Sequence, residues 1–131
     1  MRVKIGNKTG FAYPDIAIAC GNLEFEDDEL DILNNPIVII EILSGSTEAY
    51  DRGDKFAYYR AVPTLLEYIL VSQNKYRIEQ FVRKEERMWS MLYYEDMGQV
   101  VKIESIDCEV PLSDIYKWVE FDQPSGLDKI P

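Results

Sequence analysis

Histidine is absent from this 131-residue chain. That removes imidazole acid–base chemistry and histidine-based zinc sites, so any catalysis must run on carboxylates, lysine, tyrosine or a hard metal ion. Cysteine is nearly absent too. Cys20 and Cys108 are too few and too far apart for a disulfide framework, and they read as two buried, reduced thiols. No apolar run approaches the ~20 residues needed to span a bilayer. The opening Met1-Arg2-Val3-Lys4-Ile5-Gly6 lacks the apolar stretch of a signal peptide, so a cytoplasmic location is expected. Basic residues are scarce: 14 Lys and Arg against 24 Asp and Glu leave a net charge of −10. Phosphate contacts supply most non-specific nucleic-acid affinity, so this balance argues against tight DNA binding without a metal to offset it.

What is present describes a folded protein. Apolar residues make up 47% of the chain, with nine tyrosines and five phenylalanines, enough for one hydrophobic core and not for two. The spacing predicts a single domain over 1–119 and a flexible tail over 120–131. Val3 and Ile5 alternate as a short edge strand, followed by a turn at Gly6–Gly10. Ile16–Cys20 reads as a buried strand. Glu24–Asp31, with six acids among eight residues, reads as a solvated loop. Ile37–Leu43 is a β-branched run bounded by Pro36 and Ser44-Gly45, the pattern of a central strand covered on both faces. A helix follows to about Val62, with Ser46, Thr47 or Asp51 as its cap and Pro63 as its boundary. Strands are expected at Glu67–Ser72, Tyr76–Val82, Arg87–Tyr94 and Val100–Ile103, with a hairpin turn at Gln73–Lys75. Leu112–Val119 reads as a closing helix capped by Ser113 or Asp114, with Ile115, Trp118 and Val119 inward. Trp89 reads as core. This order is an α/β (α+β) fold around a mixed sheet.

Glu41 is out of place inside its aliphatic strand, because a buried carboxylate is costly unless paired or bound to metal. Asp15 stands at the start of another strand, 26 residues earlier. If the two strands are neighbours, the carboxylates converge into the oxygen-donor set that Mg²⁺ accepts, with the Ile42 carbonyl as a third ligand. Asp51, Lys55 and Tyr59 are spaced four apart, so they share one helical face that can lean over Glu41. Lys55 is then placed to orient water or stabilise charge on a phosphate. In isolation Asp51 and Lys55 make an ordinary surface pair and Tyr59 is core. Gln73, at a strand end, is either a polar support beside this site or a turn former. Lys75, Arg77, Arg83, Lys84 and Arg87 could touch phosphate, but Glu79, Glu85 and Glu86 interleave with them as on a solvated sheet face.

Tyr-Pro-Asp-Ile at 13–16, Ile-Glu-Ile-Leu-Ser-Gly-Ser-Thr at 40–47 and Tyr-Asp-Arg-Gly-Asp-Lys-Phe-Ala-Tyr-Tyr-Arg at 50–60 together resemble a large bacterial family of restriction-endonuclease-like proteins. Leu-Glu-Tyr-Ile-Leu-Val-Ser-Gln at 66–73 and Cys-Glu-Val-Pro-Leu-Ser-Asp-Ile-Tyr at 108–116 extend the likeness from about Phe11 to Val119. The resemblance implies the PD-(D/E)xK nuclease fold, a central mixed β-sheet flanked by helices. It implies Asp15 and Glu41 as ligands of Mg²⁺ or Mn²⁺ and hydrolysis of DNA phosphodiesters. The lysine such proteins carry two residues after the second acid is replaced here by Leu43. Lys55 is the candidate for a migrated lysine, held by Asp51 and Tyr59. Relatives of this kind carry several dozen residues before the Pro-Asp motif, where this chain has fourteen before Asp15. A short variant or truncated core would expose a face that favours a homodimer.

Two functions follow, a metal-dependent DNA endonuclease or an inactive nuclease-fold module that dimerises or binds a partner. A carboxylate enzyme unrelated to nucleic acid finds no support in cofactor loops, since neither GxGxxG nor GxxxxGK[ST] occurs.

Overall fold

The computed structural model describes residues 2–5, 10–21, 25, 32–45, 48–119 and 121. In chain order the described elements are β1 (Arg2–Ile5), β2 (Gly10–Ala12), β3 (Ile16–Ile18), β4 (Ile32–Leu33), β5 (Val38–Leu43), α1 (Glu48–Arg52), α2 (Asp54–Arg60), β6 (Glu67–Ser72), β7 (Ile78–Glu85), β8 (Met88–Tyr94), β9 (Val100–Ile103), β10 (Cys108–Pro111) and α3 (Leu112–Ile115). The central sheet has the order β3-β5-β6-β7-β8. Only β5 and β6 are parallel within it. A parallel pair needs a crossover, and α1 and α2 supply it. Two smaller sheets, β2-β1-β4 and β10-β9, complete a mixed α/β architecture.

The continuous aliphatic run of β5 is explained by burial on both faces. Ile39 and Leu43 join Tyr59, Val62, Leu65, Tyr68 and Leu70 under α2, where Val3 and Leu33 of the small sheet also pack. On the other face Val38 meets Ile69, Ile78, Val101, Ile103, Leu112 and Tyr116 beneath β9, β10 and α3. Aromatic stacking fastens α2 to the sheet. Phe56 lies parallel to Tyr68 at 4.9 Å and meets Phe81 at 4.6 Å and the edge of Trp89 at 5.4 Å. Such pairs add about 0.5–1.5 kcal/mol each beyond their buried area.

Several expectations need correcting. The single helix before Pro63 is two, divided at Gly53, whose φ of −101° and ψ of −92° break the helical path. The hydrogen bonds run through the kink, from Gly53 N–H to Ala49 O and from Ala57 N–H to Gly53 O. Asp51 is no cap; it is buried within α1. Ser46 and Thr47 lie outside the described residues, as do 6–9 of the first turn and all of 24–31 except Phe25. β3 is a sheet edge, not a buried strand, so Ile16 and Cys20 are exposed; Cys108, in β10, is half-buried. Pro111 occupies the cap position of α3 without a side-chain cap bond, and Ser113 and Asp114 lie inside the helix instead of capping it. That short helix ends before Trp118, which is 89% exposed, and Val119 is exposed too. Trp89 is half-buried against Phe56. Of the expected tail only Phe121 is described, packed edge-on against Tyr76 at 4.7 Å and Tyr116 at 5.7 Å.

Candidate functional site

Strand register brings the two carboxylates together. Ile16 pairs with Ile40 in antiparallel register, and one step further along the same register sets Asp15 across from Glu41. Glu41 is 2% exposed and Asp15 is on the surface. The Asp15 N–H donates to Glu41 Oε1 at 3.0 Å, and the Ile42 N–H donates to Asp15 Oδ2 at 2.7 Å. Another step sets Pro14 opposite Ile42. Proline has no N–H to give, so the ladder stops there, and Ile42 turns its N–H to the Asp15 side chain instead. N–H and C=O of one strand residue face the same edge, so the Ile42 carbonyl also faces the Asp15 side and receives nothing from Pro14.

The kinked helices cover this edge from the side of Glu41. Lys55 forms an ion pair with Glu41 Oε2 and lies 3.5 Å from Asp51 Oδ1. Tyr59 donates its hydroxyl to Glu41 Oε2 at 3.4 Å. The four-residue spacing therefore survives the break at Gly53. Leu43, two residues beyond Glu41 and on the same face, is buried in the hydrophobic cluster, so a lysine at that strand position has no room and the ammonium arrives from α2. Desolvation lifts the Glu41 carboxyl above its usual range, partly opposed by Lys55 and the Asp15 amide. Burial works against the Lys55 ammonium, but its hydrogen bond and charge contact with Glu41, aided by Asp51, raise it above the ordinary lysine value. The Tyr59 phenol is pushed far up by burial and by the charge of Glu41.

This donor set fits a hard cation in a limited way. Two carboxylates and a strand carbonyl are the oxygen ligands Mg²⁺ accepts when water and phosphate complete its shell. Glu41 and Asp51 flank the one ammonium of Lys55, and Asp15 adds a further carboxylate beside the Glu41 strand, which leaves an excess of negative charge. Among the described residues no cluster of three His, Cys, Asp or Glu side chains could cage a metal alone.

Gln73 is exposed beyond the end of β6. It lines an apolar cavity of about 380 Å³ on the opposite sheet face, together with Ile42, Ile69 and Tyr116. The basic candidates do not form one surface. Arg83 donates to the carbonyls of Leu65, Arg60, Val62 and Glu86 and stacks 4.6 Å over Trp89. Arg77 pairs with Glu95 at 2.5 Å. Lys75, Lys84 and Arg87 are exposed.

Two supports of the site escaped sequence reasoning. The Tyr68 hydroxyl donates to the Asp51 carbonyl at 2.9 Å, tying α1 to β6. Arg52 grips buried Glu79 through contacts of 2.8, 3.1 and 2.9 Å. Alternation in β7 was the available signal for the second, since it puts Glu79 on the face of Phe81.

Residues 1–113 match the model of the Uma2 family, described as "Putative restriction endonuclease". The chain belongs to the Uma2 family. Two Synechocystis proteins are similar to this Uma2 chain. "Uncharacterized protein sll1609" is 36% identical over 104 residues, 79% of this chain and 58% of the relative. "Uncharacterized protein slr1290" is 29% identical over 121 residues, 92% of this chain and 62% of the relative. The chain thus spans about three fifths of either length. Its fold is that of a crystal structure described as a putative nuclease belonging to DUF820 from Anabaena variabilis. The TM-score is 0.72 at 14% identity, covering 91% of this chain and 66% of the other. The central mixed sheet is therefore the restriction-endonuclease-like core that the motifs implied.

Proposed function

We propose that this Uma2 domain is a cytoplasmic endonuclease that hydrolyses DNA phosphodiester bonds with Mg²⁺ or Mn²⁺ held by Asp15, Glu41 and the Ile42 carbonyl. The observation that carries the reading is the junction of Asp15, Glu41 and Lys55, two carboxylates in register and a lysine delivered from another element. A bound divalent ion would supply Lewis-acid activation of water and neutralise phosphate charge. Lys55 then offers positive charge to the scissile phosphate, Asp51 keeps that ammonium within reach, and Tyr59 fixes the Glu41 carboxylate. A chain of net charge −10 needs such cationic help to approach DNA.

A second reading is favoured by one contact. The Lys55 ion pair satisfies Glu41 without a metal, as suits an inactive fold that serves as a dimerising or partner-binding module.

Plasmid nicking decides between them. Wild type should convert supercoiled DNA to nicked and linear forms with Mn²⁺ and not with chelator. Glu41→Ala and Lys55→Met should each lose on the order of 10²-fold or more, the scale of removing one charge-stabilising group. Wild type without metal-dependent cleavage, or cleavage undiminished in Glu41→Ala, overturns the nuclease reading.

A further inference from the structure

β8 ends the central sheet and, among the described residues, pairs with β7 alone. Its sequence, Met88-Trp89-Ser90-Met91-Leu92-Tyr93-Tyr94, has no charge and no proline, in a chain of which 29% is charged. Met88 is 56% exposed, Met91 42%, Leu92 53% and Tyr93 56%. Soluble proteins blunt open strand edges with lysine, proline or inward charges, because an open edge is a template for another strand. Met88–Tyr94 uses none of these.

We propose that the β8 edge is a homodimer interface, in which β8 of a second copy pairs antiparallel about a two-fold axis at Met91. The charges flanking the strand fix both partner and register. Arg87 stands one residue before β8 and Glu95 one residue after it. Antiparallel self-pairing centred on Met91 sets Arg87 of each copy across from Glu95 of the other, and Trp89 across from Tyr93. Opposite charges and aromatic pairs across a strand boundary are both favourable. A parallel arrangement opposes Arg87 with Arg87 and Glu95 with Glu95, and a two-residue slip removes the charge match. Glu95 also accepts from Arg77 in its own chain, yet its side chain stays 54% exposed. The opposite sheet edge, β3, is only three residues long and presents Pro14 just before it, so assembly closes at two copies. The interface stands whether or not the chain cleaves DNA.

The test combines sedimentation with disulfide trapping in a Cys20→Ser background, which removes the exposed native thiol. Wild type should sediment as a dimer at tens of micromolar concentration, about the range where modest interfaces populate. Met91→Cys should form a crosslinked dimer on mild oxidation, since residue 91 faces its own copy. Met88→Cys should not, because the two copies of residue 88 then lie about 20 Å apart, six strand residues at ~3.4 Å each. Met91→Lys, which opposes two ammonium groups at the axis, should raise the dimer dissociation constant about tenfold or more. If that variant does not fold, the trapping pair decides alone. A monomeric wild type, or crosslinking at residue 88 and not at 91, overturns the proposal.

Discussion

Replacing Lys55 by Met keeps the unbranched stem and removes only the ammonium. Its partner Glu41 has a side chain 3% exposed, and that of Lys55 is 16% exposed. Removing one member of a buried pair costs about 3–5 kcal/mol when nothing replaces it. Here the Asp15 amide and the Tyr59 hydroxyl stay on Glu41, and the carboxyl can take up a proton, so a loss of about 2–3 kcal/mol is expected at pH ~8. For a domain of this size that lowers Tm by about 10 °C. The loss must depend on pH. Burial already raises the Glu41 pKa, and Lys55 opposes that rise. Without Lys55 the folded-state pKa climbs further above its unfolded value. Stability from such a group is fully present below the unfolded pKa and is lost as pH rises through the folded one. Lys55→Met should therefore be much closer to wild type at pH ~5 than at pH ~8. Urea unfolding of wild type, Lys55→Met and Glu41→Gln/Lys55→Met at both pH values reads this directly, the double variant losing most of the pH dependence. An equal loss at the two pH values would refute the reasoning.

Three further outcomes follow from the same structure. Arg52→Ala leaves buried Glu79 with Arg77 at 3.6 Å as its remaining cation; because Arg52 is a third exposed, the loss should be about 2 kcal/mol, and a urea midpoint unchanged from wild type would contradict it. Arg83→Met removes donors from the carbonyls at the end of α2 and just after it, and the stack on Trp89. It should cost about 1–2 kcal/mol and speed amide exchange near Val62–Leu65, whereas wild-type exchange there would assign those carbonyls no dependence on Arg83. Burial raises the Tyr59, Tyr68 and Tyr116 phenols, so their contribution to stability is intact below pH ~10 and is lost above it. Tyrosinate absorbance should then show a fraction of the nine tyrosines ionising only together with unfolding, and one smooth titration of a folded chain would oppose this.

β5, β6 and β9 were legible because each is an apolar run with sharp Pro, Gly or polar boundaries. The meeting of Asp15 with Glu41 needed only that their strands be neighbours, and the i,i+4 series carried Lys55 and Tyr59 to the same point. Other parts depended on contacts distant in sequence. Glu79 looked like one charge in a solvated alternation because its partner Arg52 lies 27 residues away. Cys20 looked buried because an apolar strand does not announce that it will be an edge. The inward reading of Trp118 assumed a helix that stops too early to carry it. Arg83 was weighed as a phosphate contact against a place on a solvated sheet face, and neither reading foresaw the carbonyls it satisfies at the end of α2 and in the turn after it. β10 carries no alternation strong enough to announce a strand; its register with β9 shows only in the fold.

Calorimetric titration of Mn²⁺ into wild type and Glu41→Ala tests the central claim most directly. The account predicts saturable binding by wild type, accompanied by a higher melting temperature because a ligand of the native state stabilises it, and neither effect in Glu41→Ala. Absence of binding by folded wild type at millimolar metal, or equal binding by Glu41→Ala, would contradict it.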